Sequence, residues 1–272
     1  MEELIISAAH EEKNYWRDLW GYRELLYFLA WRDILVRYKQ TTVGILWAFL
    51  RPGLTITIFS ILSMKVAGIS SGPVPTPLLV SVGTLIWQLF STAFSDAGNS
   101  LVGNSNLISK IYFPRLLVPA STLAVGFVDF MIALTISGSL MAYYHYLPDL
   151  RILALPLFIG LALVASLGAG LWLAALTVKY RDFRFIVPFV VQIGFFASPV
   201  WYTSDKWTGV YRVIYSLNPI VGAIDGCRWA LFRGSYPLFW PGLIASIGVS
   251  VVLLFTAILY FRRTEKSFAD MI

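Results

Sequence analysis

Residues 31–53 read WRDILVRYKQTTVGILWAFLRPG, and the stretch changes from a charged half to an almost uncharged one. The first half mixes basic and acidic side chains with large apolar residues, and the second opens a long hydrophobic run. This pattern is typical of a chain that lies along a membrane surface and then enters the membrane. Arg51 and Pro52 interrupt the apolar half with a charge and a helix breaker.

The composition of the whole chain is that of a membrane protein. Hydrophobic residues make up 58% and charged residues 13% of its 272 residues, and the mean hydropathy is +0.72. Soluble domains hold about 25% charged residues, so this chain has about half the charged surface that it needs in water. The composition therefore predicts an all-α, polytopic membrane protein.

The first predicted domain, residues 1–42, combines a cytoplasmic tail with an interfacial helix. Its first 20 residues are polar and acidic and lack the apolar core of a secretory signal, which predicts that no such signal is cleaved. Residues 21–42 contain no proline and suit a helix, although their charges do not gather on one face. We expect basic residues of this helix to contact lipid headgroups or a partner; a plain cytoplasmic helix is the alternative.

The second predicted domain, residues 43–272, is a single six-span transmembrane domain. Crossing the apolar core of a bilayer takes about 20 helical residues. The six runs that have this length are 43–66, 78–101, 116–146, 152–178, 185–202 and 238–261. The third run is about 46 Å long at 1.5 Å per residue, so it should tilt or project from the bilayer. The fifth is short and is bracketed by Pro188 and Pro199.

The segment between spans five and six is too long for a simple turn. Its apolar residues fall near helical spacing, and Asn218-Pro219 is a favourable helix start. It is also rich in Trp and Tyr, whose rings favour the membrane interface. We therefore expect two short re-entrant helices that enter the outer leaflet without crossing it; an irregular extracellular loop is the alternative.

The basic residues are unevenly distributed between the predicted spans. With the N-terminus inside, most of them fall before the first span, in the two inner loops and after the last span. The positive-inside rule therefore predicts that both termini are cytoplasmic.

The sequence lacks the motifs of common catalytic and metal sites. It contains no Gly-x-x-x-x-Gly-Lys-Ser/Thr, so it does not bind nucleotide phosphates through that loop. Its two histidines, His10 and His145, fall on opposite sides of the predicted membrane and cannot share a metal. Cys227 is the single cysteine and is expected to be a free thiol. We predict no catalytic residue, no metal and no cofactor bound by this chain.

Asp96 and Asp129 are the acidic residues inside the predicted spans. A charge there costs roughly 2.5–3.5 kcal/mol on insertion scales, so such residues are candidates for a function such as proton coupling. Asp96 precedes Gly98-Asn99-Ser100 and can lie near the inner end of its span. The alternative for Asp129 is a buried structural partnership with a basic or hydroxyl group.

Two predicted inner loops carry basic and aromatic residues. Residues 104–115 have an Asn/Ser cap, a short apolar and basic helix and a closing Pro114, and residues 179–184 form a compact turn. Both suit docking onto a groove of another protein. The alternative is that their charges only satisfy the positive-inside rule.

Six motifs follow one another in a set order between residues 31 and 232. They are Arg32-Asp33-Ile34 through Arg37-Tyr38-Lys39, Gly44-x-x-Trp47 followed by Pro52, Asn106-Leu107-Ile108-x-Lys110-x-x-Phe113-Pro114-Arg115, Tyr180-Arg181-Asp182-Phe183, Ser198-Pro199-Val200-Trp201-Tyr202, and Asn218-Pro219 before a helix that ends Arg228-Trp229-Ala230-Leu231-Phe232. In this order they resemble the transmembrane permease subunits of ABC-2 type polysaccharide exporters, which carry O-antigen, capsule or teichoic-acid-like polymers.

The resemblance implies a homodimer in the bacterial inner (cytoplasmic) membrane that pairs with two copies of a separate ABC ATPase. ATP and Mg would then be bound by that partner. The implied passenger is a lipid-linked (undecaprenyl-type) polysaccharide moved from the cytoplasm outward, membrane lipids are further partners, and no nucleic acid is expected. The implied ATPase contacts are Asn106, Leu107, Lys110, Phe113, Arg115, Tyr180, Arg181, Asp182 and Phe183, with Arg32 and Arg37 of the N-terminal helix.

Aromatic residues on spans one, two and five suggest a path for a sugar polymer. A sugar ring has apolar C–H faces that stack on aromatic rings, while polar groups or water satisfy its hydroxyls. The candidates are Trp47, Phe49, Phe59, Trp87, Phe90, Phe94, Phe195, Phe196, Trp201 and Tyr202. Ordinary helix packing and interfacial aromatic belts are the alternative.

Arg51 is the first candidate for substrate contact. If the span begins at residue 43, Arg51 lies about 12 Å into the helix, too deep for an easy return to the surface. We expect one helix kinked at Pro52, with Arg51 turned toward the dimer interior or an inner-leaflet pyrophosphate headgroup.

Three other functions remain open from the sequence. One is a drug or small-lipid exporter subunit of the same superfamily, and another is a proton- or ion-coupled secondary transporter that uses Asp96 or Asp129. A membrane-embedded transferase is the third, and the lack of paired acidic or metal-ligand motifs disfavours it.

Overall fold

The computed structural model describes residues 11–39, 44–65, 72–111, 113–265 and 268. Within these ranges the chain is all-α, with two short 3₁₀ turns and no strand. Helices α1 to α11 are, in order, Glu11–Gly21, Arg23–Lys39, Gly44–Lys65, Thr76–Gly103, Ser105–Ile108, Leu117–Tyr143, Leu155–Lys179, Phe183–Ala197, Val210–Tyr215, Pro219–Leu231 and Trp240–Glu265.

Five of these helices are long and apolar enough to cross a membrane, namely α3, α4, α6, α7 and α11. The chain is therefore a multi-pass membrane protein, and this part of the prediction is confirmed. Helix α8 has 15 residues, or about 22 Å at 1.5 Å per residue, which is short for a span. The sequence predicts six runs of spanning length, and the described structure has five helices of that length.

Helix α8 ends at Ala197, whereas the sequence predicts a run that continues to residue 202. Ser198 has an extended backbone, with φ −109° and ψ 152°. A proline disfavours the helical conformation of the residue before it, and Pro199 follows Ser198. Residues 198–202 therefore leave the helix as a separate segment, which we call the 198–202 turn.

The other boundaries stay close to the predicted ones. Helix α6 has 27 residues, whereas its predicted run has a few more. Helices α9 and α10 lie between the fifth and sixth runs, and Asn218 Oδ1 accepts a hydrogen bond of 3.1 Å from the backbone of Ile220 at the start of α10. Both short helices predicted there are thus present, while their depth in a membrane stays a prediction.

Helix α4 is the centre of the bundle. It packs against α3, α6, α7, α8 and α10. Of its most apolar 18-residue stretch, 78% is buried. Small residues permit the closest crossings, as they do in other membrane helix pairs. Gly126 of α6 faces Ala93, and Gly170 of α7 faces Ala97.

The buried residues form two large apolar clusters at opposite ends of the bundle. One cluster, the α10 end, joins Leu78, Phe158, Val200 and Ile224, and it contains most of α10. The other, the α2 end, joins Leu29 of α2 to the C-terminal parts of α4, α7 and α11. Helices α4, α7 and α11 all end at the α2 end, whereas α6 begins there, so each end collects the starts of some helices and the ends of others.

Candidate functional site

Seven aromatic rings from α3, α4, α8 and the 198–202 turn contact one another in an unbroken series. We call this series the aromatic row. Its members are Phe59, Trp87, Phe90, Phe94, Phe195, Phe196 and Trp201. All of them are substrate-path candidates from the sequence, which could place them on separate spans but could not show that they meet.

Phe59 of α3 joins two parts of the row. Its ring centroid lies 4.8 Å from that of Phe195 and 6.3 Å from that of Phe196. The indole ring of Trp201 lies 6.3 Å away on the 198–202 turn. These separations are within the range at which aromatic pairs attract beyond simple burial, so α3 is tied to α8 and to the turn by rings.

Helix α4 supplies the other half of the row. The ring centroid of Trp87 lies 6.3 Å from that of Phe195 and 5.4 Å from that of Phe90. Phe90 and Phe94 stack with their planes 2° apart and their centroids at 5.7 Å. The row therefore continues for about two turns along α4 toward the α2 end.

Arg228 holds the 198–202 turn in place. This residue of α10 is only 1% exposed, and its guanidinium donates to the carbonyl oxygens of Tyr202 at 2.9 Å, Val200 at 3.0 Å and Leu79 at 3.1 Å. Leu79 belongs to the first turn of α4. A buried charge is costly unless it is hydrogen-bonded, and here backbone carbonyls from two segments supply the bonds.

Two further side chains bind the same turn. Ser63 of α3 donates to the carbonyl of Trp201 at 3.0 Å, and the Asn218 amide donates to Ser198 Oγ at 2.9 Å. The turn also lies directly on α4, because a methyl group added at Gly83 would be 2.2 Å from the carbonyl oxygen of Val200. The position of Trp201 is thus set from three sides.

Tyr202 lies at the end of this arrangement. Its ring centroid is 5.2 Å from that of Trp201, and its hydroxyl is 2.8 Å from the hydroxyl of Tyr215. The motif that contains Arg228 is visible in the sequence, but its role is not. The available signal is an arginine three residues after Asp225 in a helix that is otherwise uncharged.

Trp47 and Arg51 lie outside the aromatic row. Trp47 is 61% exposed, and Arg51 is also exposed on α3. No ion pair joins Arg51 to another described residue. Helix α3 continues through Pro52, whose side chain is buried. The structure therefore does not bring these two candidates to the rings of the same helix.

The two acidic residues inside spans are partners of α2. The Arg37 guanidinium lies 3.0 Å from Asp96 Oδ2 on α4 and 2.7 Å from Asp129 Oδ2 on α6. Tyr38 donates its hydroxyl to Asp129, and burial together with this bond raises the pKa of Tyr38. The geometry thus matches the alternative in which Asp129 is a structural partner of a basic and a hydroxyl group. Arg37 connects α2 to both spans.

Arg32 makes a second connection from α2. Its guanidinium donates to Asp33 Oδ1 at 2.7 Å and to Asn104 Oδ1 at 2.7 Å. The Asn104 amide donates to the carbonyl of Ser100 at 2.8 Å. The sequence predicts that Asn104 caps the following helix. Its side chain makes no capping hydrogen bond, because these contacts already occupy it.

The first predicted inner loop contains a shorter helix than expected. Only α5, with four residues, is helical, and Pro114 is preceded by irregular backbone. Asn106 and Lys110 are exposed and Leu107 is half-buried. Phe113 is 3% exposed and belongs to the apolar cluster at the α2 end.

Arg115 fastens this loop to the last helix. Its backbone N–H donates to Glu265 Oε1 at 2.6 Å, and its guanidinium donates to the carbonyl of Glu265. The loop therefore has an exposed side that contains Asn106 and Lys110, and an anchored side that contains Phe113 and Arg115.

The second inner loop is an exposed turn between α7 and α8. Tyr180, Arg181 and Asp182 are exposed and Phe183 is half-buried. The rings of Tyr180 and Phe183 are 6.2 Å apart. Because α4 and α7 both end at the α2 end, the two loops and α2 occupy the same end of the bundle.

The described residues contain no group of three or more His, Cys, Asp or Glu side chains that could hold a metal ion. Cys227 is a buried free thiol, as predicted.

Comparison with known proteins identifies the family. The sequence model of the family described as "ABC-2 type transporter" matches residues 24–232 of this chain. The chain belongs to the ABC-2 type transporter family. It is 29% identical over 259 residues to the O-antigen export system permease protein RfbA of Myxococcus xanthus, covering 94% of this chain and 98% of that protein. A permease of the same name from Klebsiella pneumoniae is 23% identical over 250 residues, which cover 92% and 95% of the two chains.

The ABC-2 region begins in α2 and ends just after α10. It therefore includes the Arg37 cluster, both inner loops, the aromatic row and the Arg228 clamp on the 198–202 turn. The resemblance that the six motifs suggest is confirmed at the level of the ABC-2 family.

Proposed function

We propose that this chain is the membrane-spanning subunit of an ATP-driven ABC exporter that moves a lipid-linked (undecaprenyl-type) polysaccharide outward across the bacterial inner membrane. The observation that carries the proposal is the aromatic row. Its rings form a continuous series on which the apolar faces of successive sugars could stack once the helices part, since Trp87 and Phe94 are buried in this structure. The names of the similar permeases from Myxococcus xanthus and Klebsiella pneumoniae, which refer to O-antigen export, agree with such a passenger.

The α2 end is the proposed contact with the ATPase. Two copies of a separate ABC ATPase would bind ATP and Mg and would dock on the exposed sides of both inner loops. Lys110, Tyr180 and Arg181 are exposed there, whereas Phe113 and Arg115 support the loop from within. Arg37 would pass movement of α2 to α4 and α6 through its two carboxylate partners.

Both termini are cytoplasmic in this proposal, which needs an even number of crossings. Helix α8 adds the sixth crossing together with the 198–202 turn. The turn lies against Leu79 and Gly83 near the start of α4, so α8 and the turn together reach from the α2 end to the α10 end. Helices α9 and α10 then lie in the outer leaflet, and α2 lies at the inner surface, where its exposed Tyr27, Phe28 and Trp31 suit lipid headgroups.

A homodimer would enclose the aromatic row. Helices α3 and α8 flank the row and expose apolar side chains on their outer sides, including Leu54, Ile58 and Phe189. Phe196, a member of the row, is 52% exposed. A second copy packed against α3 and α8 would cover these residues and place two rows around one path.

A deletion strain tests the proposal. We expect deletion to remove the host's surface polysaccharide and to leave lipid-linked polymer inside the cell, and a plasmid copy of the chain to restore export. Phe59→Ala should reduce export while the protein remains in the membrane. Surface polysaccharide that is unchanged by deletion, or ATP hydrolysis by the purified chain without a partner, would contradict the proposal.

Arg51 is tested by replacement with leucine. If Arg51 contacts an anionic headgroup, Arg51→Leu should insert normally and impair export, because the variant loses the only charge in that part of α3. Lys65→Leu, which removes the other charge of the same helix, is the control and should export normally. Unchanged export by Arg51→Leu removes Arg51 from the substrate path.

A further inference from the structure

Helix α4 carries a second line of side chains beside the aromatic row. Its polar members follow one another at steps of four, three and four residues, so they share one face of the helix. We call them the polar stripe, which consists of Thr84, Gln88, Ser91 and Ser95. No charged residue belongs to it. The stripe lies between the aromatic row and the part of α4 that contacts α6, where Ser137 donates a hydrogen bond of 2.8 Å to Ser81.

The polar stripe faces α3. At 100° per residue its mean direction is about 170° from Ala93, and Ala93 is the residue that Gly126 of α6 faces. Gly170 of α7 faces Ala97, on the neighbouring part of the same side. Helix α3 packs on both α4 and α6, and its Phe59 and Ser63 contact α8 and the 198–202 turn. It therefore lies over the side of α4 between the aromatic row and α6.

Two atoms of the stripe are buried without a hydrogen-bond partner among the described residues. Thr84 is 3% exposed, and its hydroxyl oxygen has no such partner. The amide oxygen of Gln88, one turn further along, is also buried and has no hydrogen-bond partner among the described residues. About nine in ten buried polar groups in proteins are hydrogen-bonded, so two orphans on one helix face need an explanation.

A third orphan lies at the same level of the bundle. The indole N–H of Trp201 is buried and has no acceptor among the described residues. Trp201 follows Val200, whose carbonyl lies on Gly83, the residue before Thr84. A hydroxyl, an acceptor and a donor without partners thus belong to α4 and to the turn that packs on it.

The two lines on α4 complement each other chemically. Trp87, Phe90 and Phe94 lie about 100° from the stripe around the helix, so rings and polar atoms form adjacent sides of one surface. A hydroxyl-rich ring compound has both an apolar face and an equatorial edge of donors and acceptors. An apolar drug or lipid tail would leave the polar atoms unpaired, and a phosphate would find no cation in the stripe.

We propose that the polar stripe binds the hydroxyl groups of the passenger's sugar residues, with Gln88 Oε1 and Thr84 Oγ1 as the main partners. This inference rests on the proposed function. Helix α3 covers the stripe and must move to admit a sugar. It is suited to do so, because only 22% of its most apolar 18-residue stretch is buried, compared with 78% of the corresponding stretch of α4.

The test uses apolar replacements of similar shape in the full-length chain, expressed in the deletion strain with the host's own ATPase. Thr84→Val, Gln88→Leu and the double variant are compared with the wild-type chain. Surface polysaccharide is measured on whole cells, and the melting temperature is measured on each purified protein. We expect the double variant to lose about tenfold in export, since hydrogen bonds to the sugar are lost, with an unchanged or higher melting temperature.

The divergence between export and stability is the decisive readout. An orphan polar atom that serves only the fold should be improved by an apolar replacement, with export unchanged, and that result would overturn the inference. Lower export together with a lower melting temperature would also overturn it, since the groups would then be structural. Thr84→Ser, which retains the hydroxyl, should restore export.

Thr177→Val is the matched control. Thr177 of α7 is 1% exposed, and its hydroxyl also lacks a partner among the described residues, but it belongs neither to α4 nor to the aromatic row. Its replacement should leave export normal. If the wild-type chain itself fails to restore surface polysaccharide, the proposed function fails; if it restores export and the double variant does so equally, only the stripe is wrong.

Discussion

The two ends of the bundle are closed by arginines that act in different ways. At the α10 end, Arg228 is 1% exposed and binds backbone carbonyls of α4 and the 198–202 turn. At the α2 end, Arg37 has a side chain that is 38% exposed and binds carboxylates of α4 and α6.

The difference indicates which end is rigid. Bonds to buried backbone groups are shielded from water, and breaking them leaves groups that nothing else can satisfy. Ion pairs that water and salt reach are weak and can exchange partners at low cost. The α10 end is therefore built as a fixed surface. The α2 end is built to be adjusted, as the proposed contact with an ATPase requires.

The largest expected effect is the loss of the buried clamp. Arg228→Met should lower the free energy of unfolding by about 3–5 kcal/mol, because it leaves buried carbonyls without a donor. Denaturant titration of the purified protein in detergent measures this. Arg228→Lys retains the charge but cannot reach all three carbonyls in the same way. Its free energy of unfolding should lie between those of the wild type and the methionine variant. A methionine variant as stable as the wild type would show that the clamp adds no net stability.

A smaller effect is expected where the turn lies on α4. Gly83→Ala should cost about 1–3 kcal/mol through overpacking, since the added methyl group would meet the carbonyl of Val200 at 2.2 Å. Gly138→Ala in α6 is the matched control, because nothing lies within 4 Å of its added methyl group. The control should be neutral or stabilising. Equal effects of the two substitutions would mean that the turn is free to shift.

The smallest effect is expected at the adjustable end. Arg37→Gln should lower stability by about 1 kcal/mol, and the loss should shrink in high salt, unlike that of Arg228→Met. A double-mutant cycle with Asp129→Asn measures the coupling between the two residues. Additive single effects, or a loss that salt does not change, would remove the proposed contrast between the ends.

The helices were predictable because their length and apolar composition are local properties. The N-terminal helix, the starts of α4 and α10 and the position of the inner loops all follow from runs of apolar residues, prolines and caps. The end of α8 was harder to predict, since an apolar run continues past Pro199 while the helix does not. The missing signal is the clamp, in which Arg228 reaches a carbonyl 149 residues away.

The candidate site was predictable as a set of residue types but not as an arrangement. Seven of the aromatic candidates contact one another in the row, and their role in a substrate path stays a prediction. Trp47 lies apart from the row although it belongs to the same helix as Phe59. At about 100° per residue, Trp47 and Phe59 point in directions about 120° apart. Only the packing of α3 decides which of them reaches α8. Arg37 likewise could be placed on α2 but not assigned to its two carboxylates.

The sequence by itself determined that this protein is all-α, that it lies in a membrane, and which family it resembles. These properties depend on composition, on the lengths of apolar runs and on the order of short motifs. The tertiary structure alone decided which rings form one row, which carbonyls Arg228 binds and which face of α4 retains orphan polar atoms. Such contacts join residues far apart in the chain, and they depend on how helices are rotated and packed, which no local pattern encodes.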